Sequence, residues 1–281
     1  VDPQDPKLAV KTVGIFDCVG KQGQPASMTD LAVDRDGKLY GVAARAIFLD
    51  MEIDELANQV RCSQHKVGID ETQGRFFGLT FAPPTAKLGT SETLIGGNTV
   101  GELYKIDTAT GALTIVGRFG DVPATDGLGH SYPSENVGKA WALSGDMVFL
   151  DNQGSPLGFA TLRDCPDPTV APSNCSGIDT LVEIDVDRLE PITSGAVPIV
   201  TRSIRGQILP RGCSSDLCAI GSIYGIAAFD DKVYGFAYSG QLVEIDNARG
   251  EARLVSTPLS GNGFAGAGVS TLAPVIAPAP K

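Results

Sequence analysis

The sequence contains two histidines, His65 and His130, which are the first candidates for catalytic or binding residues. A Ser-His-Asp triad needs a histidine base, and neither histidine lies near a Gly-x-Ser-x-Gly turn. His130 and Tyr132 belong to a glycine-rich stretch at 126–132, which could line the mouth of a channel and bind a ligand. A solvated loop histidine is the simpler interpretation. We therefore predict no catalytic residue and keep His130 and Tyr132 as candidate binding residues.

Carboxylates two residues apart form the second set of chemical candidates. On a strand, residues i and i+2 lie on one face, where their oxygens could bind calcium. Asp34 and Asp36 are the pair that we keep as candidate metal ligands, with calcium as the candidate ion. However, residues 34–37 lack the other ligands of an EF-hand loop, and an aspartate beside a glycine is typical of a hairpin turn. The turn is the simpler explanation, and the metal site remains an alternative.

The six cysteines predict disulfides. Cys165 and Cys175 are close enough in sequence to close a short loop, as are Cys213 and Cys218, which leaves Cys18 to pair with Cys62. This connectivity is one of several that six cysteines allow. A thiolate metal site is the alternative, but structural zinc sites usually contain two Cys-x2-Cys pairs, and the gaps here are longer. Disulfides in turn indicate an oxidising compartment.

Composition and charge restrict the partners. The chain has 33 acidic against 22 basic residues, a net charge of −11, which repels nucleic acid and anionic lipid surfaces. No apolar run approaches the ~20 residues that span a bilayer. The chain begins Val1-Asp2-Pro3 without a methionine, so we expect that a signal segment has been removed and that the protein is extracellular or on a cell surface.

Two kinds of repeated segment must position these residues. Segments 101–111 and 240–250 share Gly, Leu, Ile-Asp, Ala and Gly at the same positions, and each predicts a strand, a turn at Asp-x-x-x-Gly and a returning strand. A weaker copy begins at residues 181–185. Segments 31–43 and 226–237 predict a second kind of hairpin, in which Tyr40-Gly41 matches Tyr234-Gly235. Looser versions pair 77–81 with 92–96 and 139–143 with 147–150.

Two successive hairpins make a four-stranded meander, and meanders in series are typical of an all-β propeller. First strands recur near residues 31, 79, 142, 226 and 269, which predicts about five blades, with roughly four to six compatible with the spacing. We expect a single domain over residues 1–273, with disulfide-tied insertions near 152–179 and 205–221, and a Pro/Ala-rich tail at 274–281. The fifth blade would be narrow, closed by pairing of the N- and C-terminal strands at 8–17 and 264–273.

The sequence resembles the secreted bacterial β-propellers over most of residues 8–273. The resemblance rests on a recurring order of motifs: a Leu-Ala-x-Asp strand, an Asp-Gly turn, Leu-Tyr-Gly, and then Leu-x-x-Ile-Asp-x-x-x-Gly. The resemblance is to a fold shared by binding modules, cell-surface proteins and some enzymes. The lack of a catalytic His or Cys arrangement, the disulfide-tied loops and the Pro/Ala-rich tail predict a non-enzymatic extracellular or cell-surface module with a structural, assembly or binding role. Its partner would be a protein, including another copy that associates through the terminal blade or the tail. The alternative is a calcium-dependent enzyme, lactonase- or glycosidase-like, with its site at the central channel.

Overall fold

The structure of the protein is a computed structural model. It describes residues 12–43, 45–62, 66–70, 74–152, 155–170, 174–212, 220–229, 232–256 and 263–271. These residues form four β-sheets, with short 3-10 turns at Pro168–Val170 and Val186–Arg188 as their helical elements. No helix among them is long and apolar enough to cross a bilayer.

The first sheet, blade 1, contains six strands. They are β1 Ile15–Phe16, β2 Asp30–Val33, β3 Leu39–Ala43, β4 Ala46–Asp54, β5 Gln59–Cys62 and β6 Lys66–Gly68. Strands β2 to β5 form an antiparallel meander, β6 also pairs with β4, and β1 joins the outer edge of β5 in parallel.

The other three sheets are four-stranded antiparallel meanders. Blade 2 consists of β7 Phe76–Ala82, β8 Thr93–Asn98, β9 Glu102–Ile106 and β10 Leu113–Arg118. Blade 3 consists of β11 Ala142–Asn152, β12 Ser155–Arg163, β13 Thr180–Ile184 and β14 Thr201–Gln207. Blade 4 consists of β15 Ile223–Phe229, β16 Lys232–Ala237, β17 Leu242–Ile245 and β18 Ala252–Ser256.

The blades are arranged as a β-propeller. The first strand of each meander is innermost, and β2, β7, β11 and β15 contact one another in that order. Apolar side chains fill the space between adjacent sheets: Tyr40 and Phe76 belong to the cluster between blades 1 and 2, and Trp141 to the cluster between blades 2 and 3. Burial of an apolar side chain contributes about 1.5 to 3 kcal/mol, so these clusters stabilise the contact between adjacent blades.

The predicted hairpins are confirmed in blades 1, 2 and 4. Tyr40 pairs with Ala32 and Tyr234 with Ala227, at equivalent places in two blades. The Asp-x-x-x-Gly turns form as expected: Asp107 Oδ1 accepts hydrogen bonds from two backbone N–H groups of its own turn, as does Asp246 Oδ1. Each turn ends in a glycine with positive φ, 74° at Gly111 and 73° at Gly250. Local turn chemistry therefore sets these hairpins.

Blade 3 differs from the prediction. Segments 139–143 and 147–150 do not form a hairpin, because residues 142–152 are one strand, β11, whose register shifts between Leu143 and Met147. Gly145 and Asp146 lie in this irregularity, where the sequence had suggested a turn. The second strand of the blade, β12, occupies 155–163, inside the predicted insertion at 152–179. The disulfide-tied connection is therefore residues 164–179.

The predicted fifth blade and the pairing of terminal strands are not confirmed. Residues 263–271 contain no strand, and Ile15 and Phe16 pair with Gln59 and Val60 of blade 1 instead. The outer edge of β5 supplies free backbone groups for this pairing, and the Cys18–Cys62 disulfide ties the segment there. Residues 266–268 lie between blades 4 and 1, against Gly225 on one side and residues 29–32 on the other. Residues 8–11, 272–273 and the tail at 274–281 lie outside the described residues.

Candidate functional site at the propeller axis

Two aspartates at the axis join the innermost strands. Asp30 is the first residue of β2, and Asp146 follows Gly145 in β11. Asp30 Oδ2 accepts a hydrogen bond from the Leu79 backbone N–H at 2.6 Å, and Asp146 Oδ2 accepts one from the Ile226 N–H at 3.1 Å. Each carboxyl group therefore holds the innermost strand of the next blade, Asp30 in blade 2 and Asp146 in blade 4.

The two carboxyl groups also lie close enough to influence each other's pKa. A hydrogen bond between them would require a proton on one of them, since two carboxylates are both acceptors. Burial raises the pKa of Asp30 well above its ordinary value, and the Asp146 charge raises it further. Burial also raises the pKa of Asp146, to about 8, although hydrogen bonds from Asp30 and from the backbone N–H groups of Ile226 and Met147 act to lower it. The pair therefore holds at least one proton at neutral pH.

The strands around this pair pack closely enough to enclose it. Asp30 is 2% exposed and Asp146 is fully buried. A Cβ atom on Gly145 would lie 2.1 Å from the carbonyl oxygen of Ile223, so only glycine allows β11 and β15 to approach this closely. A cavity of about 210 Å³ reaches Asp30 from the side of Phe16, Met28 and Phe264. Chemically, the site can hold a proton or, after losing it, a small cation.

The predicted binding residue His130 belongs to a second aspartate-centred arrangement. Asp126, whose side chain is fully buried, accepts hydrogen bonds from the backbone N–H groups of Leu128 and His130 and from that of Gln207 in β14. His130 Nδ1 lies 2.9 Å from Asp126 Oδ2, and the ring is one-third exposed. Burial acts to raise the pKa of Asp126, but these hydrogen bonds outweigh it, so the pKa is lowered. Asp126 thus fastens the loop at 126–130 to blade 3.

Tyr132 lies away from this surface. Its side chain is buried, its hydroxyl group is 3.1 Å from Thr180 Oγ1, and its ring packs edge-on against Trp141 with centroids 5.3 Å apart. Burial raises the pKa of its phenol. The structure therefore places Tyr132 in the core between blades, whereas His130 reaches solvent.

Asp34 and Asp36, the candidate calcium ligands, lie in the β2–β3 turn. Asp34 Oδ1 accepts hydrogen bonds from the backbone N–H groups of Asp36 and Lys38, at 3.0 and 2.8 Å. Gly37 takes a positive φ of 82°. One oxygen of Asp34 is therefore used by the turn itself, while Asp36 is exposed.

Two of the predicted disulfides are confirmed, Cys18–Cys62 and Cys165–Cys175. Cys213, Cys218 and His65 lie outside the described residues, so the third disulfide stays a prediction. In the part of the chain that the structure describes, one group of three potential metal ligands converges, Asp17 with Cys18 and Cys62. Both sulfurs of that group are in the disulfide, and a metal would need them as thiolates.

Comparison with known proteins identifies no family. No known family profile matches the sequence, and no curated protein does so. Similar solved structures include BBS1N in complex with ARL6DN, with 8% identity, 82% of this chain covered and a TM-score of 0.35. The extracellular domain of the putative hybrid two component system BT3049 from B. thetaiotaomicron has 10% identity, 85% coverage and a TM-score of 0.34. A humanized mutant of the Chaetomium thermophilum Polycomb Repressive Complex 2 has 10% identity, 78% coverage and a TM-score of 0.34. The chain spans 51%, 26% and 38% of these three proteins, respectively.

Proposed function

We propose that the protein is a non-enzymatic β-propeller of the extracellular space or cell surface, with a structural, assembly or binding role. The observation that supports this most is the arrangement of Asp30 and Asp146. Their oxygens accept backbone N–H groups from neighbouring blades, and the innermost strands enclose them. The acidic groups at the axis thus serve to join the blades, which leaves recognition to the surface loops of a rigid scaffold.

The outer edges of the blades determine whether the module could bind a partner by adding a strand to one of its sheets. Strand β1 covers β5, residues 190–200 run along β10, and Leu209 accepts the Ala252 N–H at the edge of β18. Covered edges do not offer free backbone groups to a strand from another molecule. Association with a protein partner, or with another copy, would therefore use loop surfaces, the terminal segments or the edge of β14, the outer strand of blade 3.

The proposed location agrees with the two disulfides, because disulfides persist in oxidising compartments. This location predicts that the purified native protein has no free thiol at any of its six cysteines.

One observation favours the alternative, a calcium-dependent propeller enzyme. Two carboxyl groups, those of Asp30 and Asp146, do converge at the axis, and a cavity of about 210 Å³ reaches one of them. Calcium prefers carboxylate oxygens, and if it displaced the bound proton the pair would supply two of its six to eight ligands. The remaining ligands would have to come from backbone carbonyls or water.

The deciding experiment measures calcium binding and turnover on the same samples. Thermal unfolding with calcium and with a chelator is combined with hydrolysis assays on lactones and aryl glycosides, for the wild type and Asp146→Asn. Under our proposal calcium leaves the melting temperature unchanged and no substrate turns over. The enzyme would be established instead if the wild type bound calcium saturably and turned over a substrate. Both properties would then be lost in Asp146→Asn and retained in Asp36→Asn. If Asp36→Asn alone lost calcium binding, the ion would belong to the turn.

Assembly is tested by molar mass in solution. Light scattering after size-exclusion chromatography compares the full chain with a variant lacking residues 275–281 across protein concentration. An assembly through the tail would dissociate in the truncated protein while its melting temperature stayed constant. Identical masses for both would remove the tail from the interface.

A further inference from the structure

Arg45 and Arg75 are the two described arginines for which no described aspartate or glutamate lies within ion-pair distance. Elsewhere in the described parts, exposed arginines are paired: Arg35 with Glu92 at 3.7 Å and Arg118 with Asp121 at 3.2 Å, for example. In a chain with 33 acidic and 22 basic residues, two guanidinium groups without a described acidic partner are unusual. Among the described residues, no carboxylate competes with a ligand for their charges.

Both arginines line one recess of about 460 Å³ at the junction of blades 1 and 2. Arg45 lies in the tight turn between β3 and β4, and Arg75 immediately precedes β7. The loop at 23–29 completes the recess. No aspartate or glutamate is among the described residues that line it, so this described lining carries a net positive charge although the protein is acidic.

The backbone around the recess is held in place by hydrogen bonds. The Arg45 carbonyl accepts the Ile69 N–H at 3.0 Å, and the Arg75 carbonyl accepts the Thr99 N–H at 2.8 Å. Thr29 Oγ1 donates to the carbonyls of Val42 in blade 1 and Phe76 in blade 2, which joins the two walls. The arginines therefore project from fixed points, which lowers the entropy lost when a ligand is bound.

We propose that Arg45 and Arg75 form a binding site for the oxyanion group of a small organic ligand, a phosphate, sulfate or carboxylate. The guanidinium fork matches these groups because it donates two parallel hydrogen bonds. The recess has the volume of a small-molecule site, and Pro25, Ala26 and Ala46 supply apolar surface beside the charges. The hydroxyl of Ser27, at the same wall, is a further donor. The inference rests on the proposed binding role and specifies its ligand class.

The test is isothermal titration at low ionic strength with three probes: inorganic phosphate, inorganic sulfate and citrate. Arg45→Gln and Arg75→Gln should each weaken binding about tenfold or more, because each removes charge-assisted hydrogen bonds. The double variant should show no saturable binding. Arg118→Gln, an exposed arginine with an acidic partner in blade 2, is the matched control and should bind like the wild type.

Arg45→Lys and Arg75→Lys keep the charge and lose the fork, so weakened binding in them shows that guanidinium geometry is used. The probe that binds most tightly identifies the oxyanion. The proposal would be overturned if the wild type bound none of the three probes saturably. It would also be overturned if the double Gln variant kept the wild-type melting temperature and bound the probes as tightly as the wild type. Neither result depends on calcium or turnover, so failure here is distinguishable from failure of the proposed non-enzymatic role.

Discussion

Asp30 and Asp146 occupy equivalent positions two blades apart, and the carboxyl group of each accepts the N–H at the matching position of the next blade, Leu79 or Ile226. Blades 1 and 3 thus contribute an acidic acceptor, and blades 2 and 4 contribute an aliphatic residue with its N–H. The strand-turn-strand segments at 101–111 and 240–250 also lie two blades apart, in blades 2 and 4.

Replacing Asp30 with asparagine should reduce the pH dependence of stability. The folded pair holds a proton that the unfolded carboxyl groups release near pH 4, so wild-type stability falls as pH rises from about 4 towards the raised pKa of Asp146, about 8. In Asp30→Asn the amide can donate to Asp146 in place of that proton, while its oxygen accepts the Leu79 N–H. Urea unfolding at pH 5 and pH 8 should show a smaller loss for the variant than for the wild type.

The control for that experiment is Asp30→Ala, which leaves the buried Leu79 N–H without its acceptor. It should be destabilised by about 1 to 3 kcal/mol at both pH values. Equal pH dependence in Asp30→Asn and the wild type would show that the pair does not hold that proton.

Glycine substitutions should distinguish close packing between blades from packing within a blade. A Cβ on Gly145 would meet backbone, 2.1 Å from the Ile223 carbonyl oxygen, whereas on Gly41 it would meet the flexible side-chain ends of Met51 and Met28. Gly145→Ala should therefore cost about 1 to 3 kcal/mol, and Gly41→Ala less, since methionine can shift. Chemical denaturation of both variants makes the comparison. A larger effect at Gly41 would contradict the close approach of β11 and β15.

The two described disulfides should stabilise the fold to different extents. Cys18–Cys62 closes a sequence separation of 44 residues and Cys165–Cys175 one of 10. Loop entropy predicts contributions of about 4 and about 3 kcal/mol, respectively. Paired Cys→Ala variants, unfolded under non-reducing conditions, should follow that order. The reverse order would indicate that buried Cys165 contributes mainly through packing.

Short-range features of this fold were predictable from the sequence. Asp107 and Gly111 specify their turn through local hydrogen bonds and a positive φ, and Asp34 and Gly37 do the same. Residues 144–146, Ser-Gly-Asp between two apolar runs, are ambiguous because the same residue types suit either a turn or an irregularity inside a strand. Packing of β11 between β7 and β15 selects the strand, and that information is not local.

The convergence of Asp30 and Asp146 was not predicted. The acidic pairs that the sequence suggests are close together along the chain, whereas these two residues lie in different blades. A usable signal exists: each precedes an apolar run that forms an innermost strand, at 31–33 and 147–150. The Arg45 and Arg75 recess was missed for a related reason, since an arginine without an acidic partner is recognisable only once its neighbours in space are known.

The last prediction separates a structural from a surface role in the loop at 126–130. Asp126→Ala removes the acceptor of three backbone N–H groups, among them that of Gln207, which is buried in β14. One such unsatisfied group costs about 1 to 3 kcal/mol, so Asp126→Ala should be strongly destabilised. His130→Ala should cost less than about 1 kcal/mol, because it removes one partly exposed contact and leaves the N–H donors paired.

The pH dependence gives an independent check on that prediction. The pKa of Asp126 is lowered in the folded protein, so its contribution is present above the unfolded value near 4 and is lost as pH falls through the folded pKa. The hydrogen bond from the His130 side chain is one of the interactions that lower this pKa, so His130→Ala should lose less stability on acidification than the wild type, and Asp126→Ala should lose least. Denaturation at pH 3 and pH 6 measures the difference. If His130→Ala proved as damaging as Asp126→Ala, the imidazole would be the main link between this loop and blade 3, and its exposed face would no longer be free to serve as a binding surface.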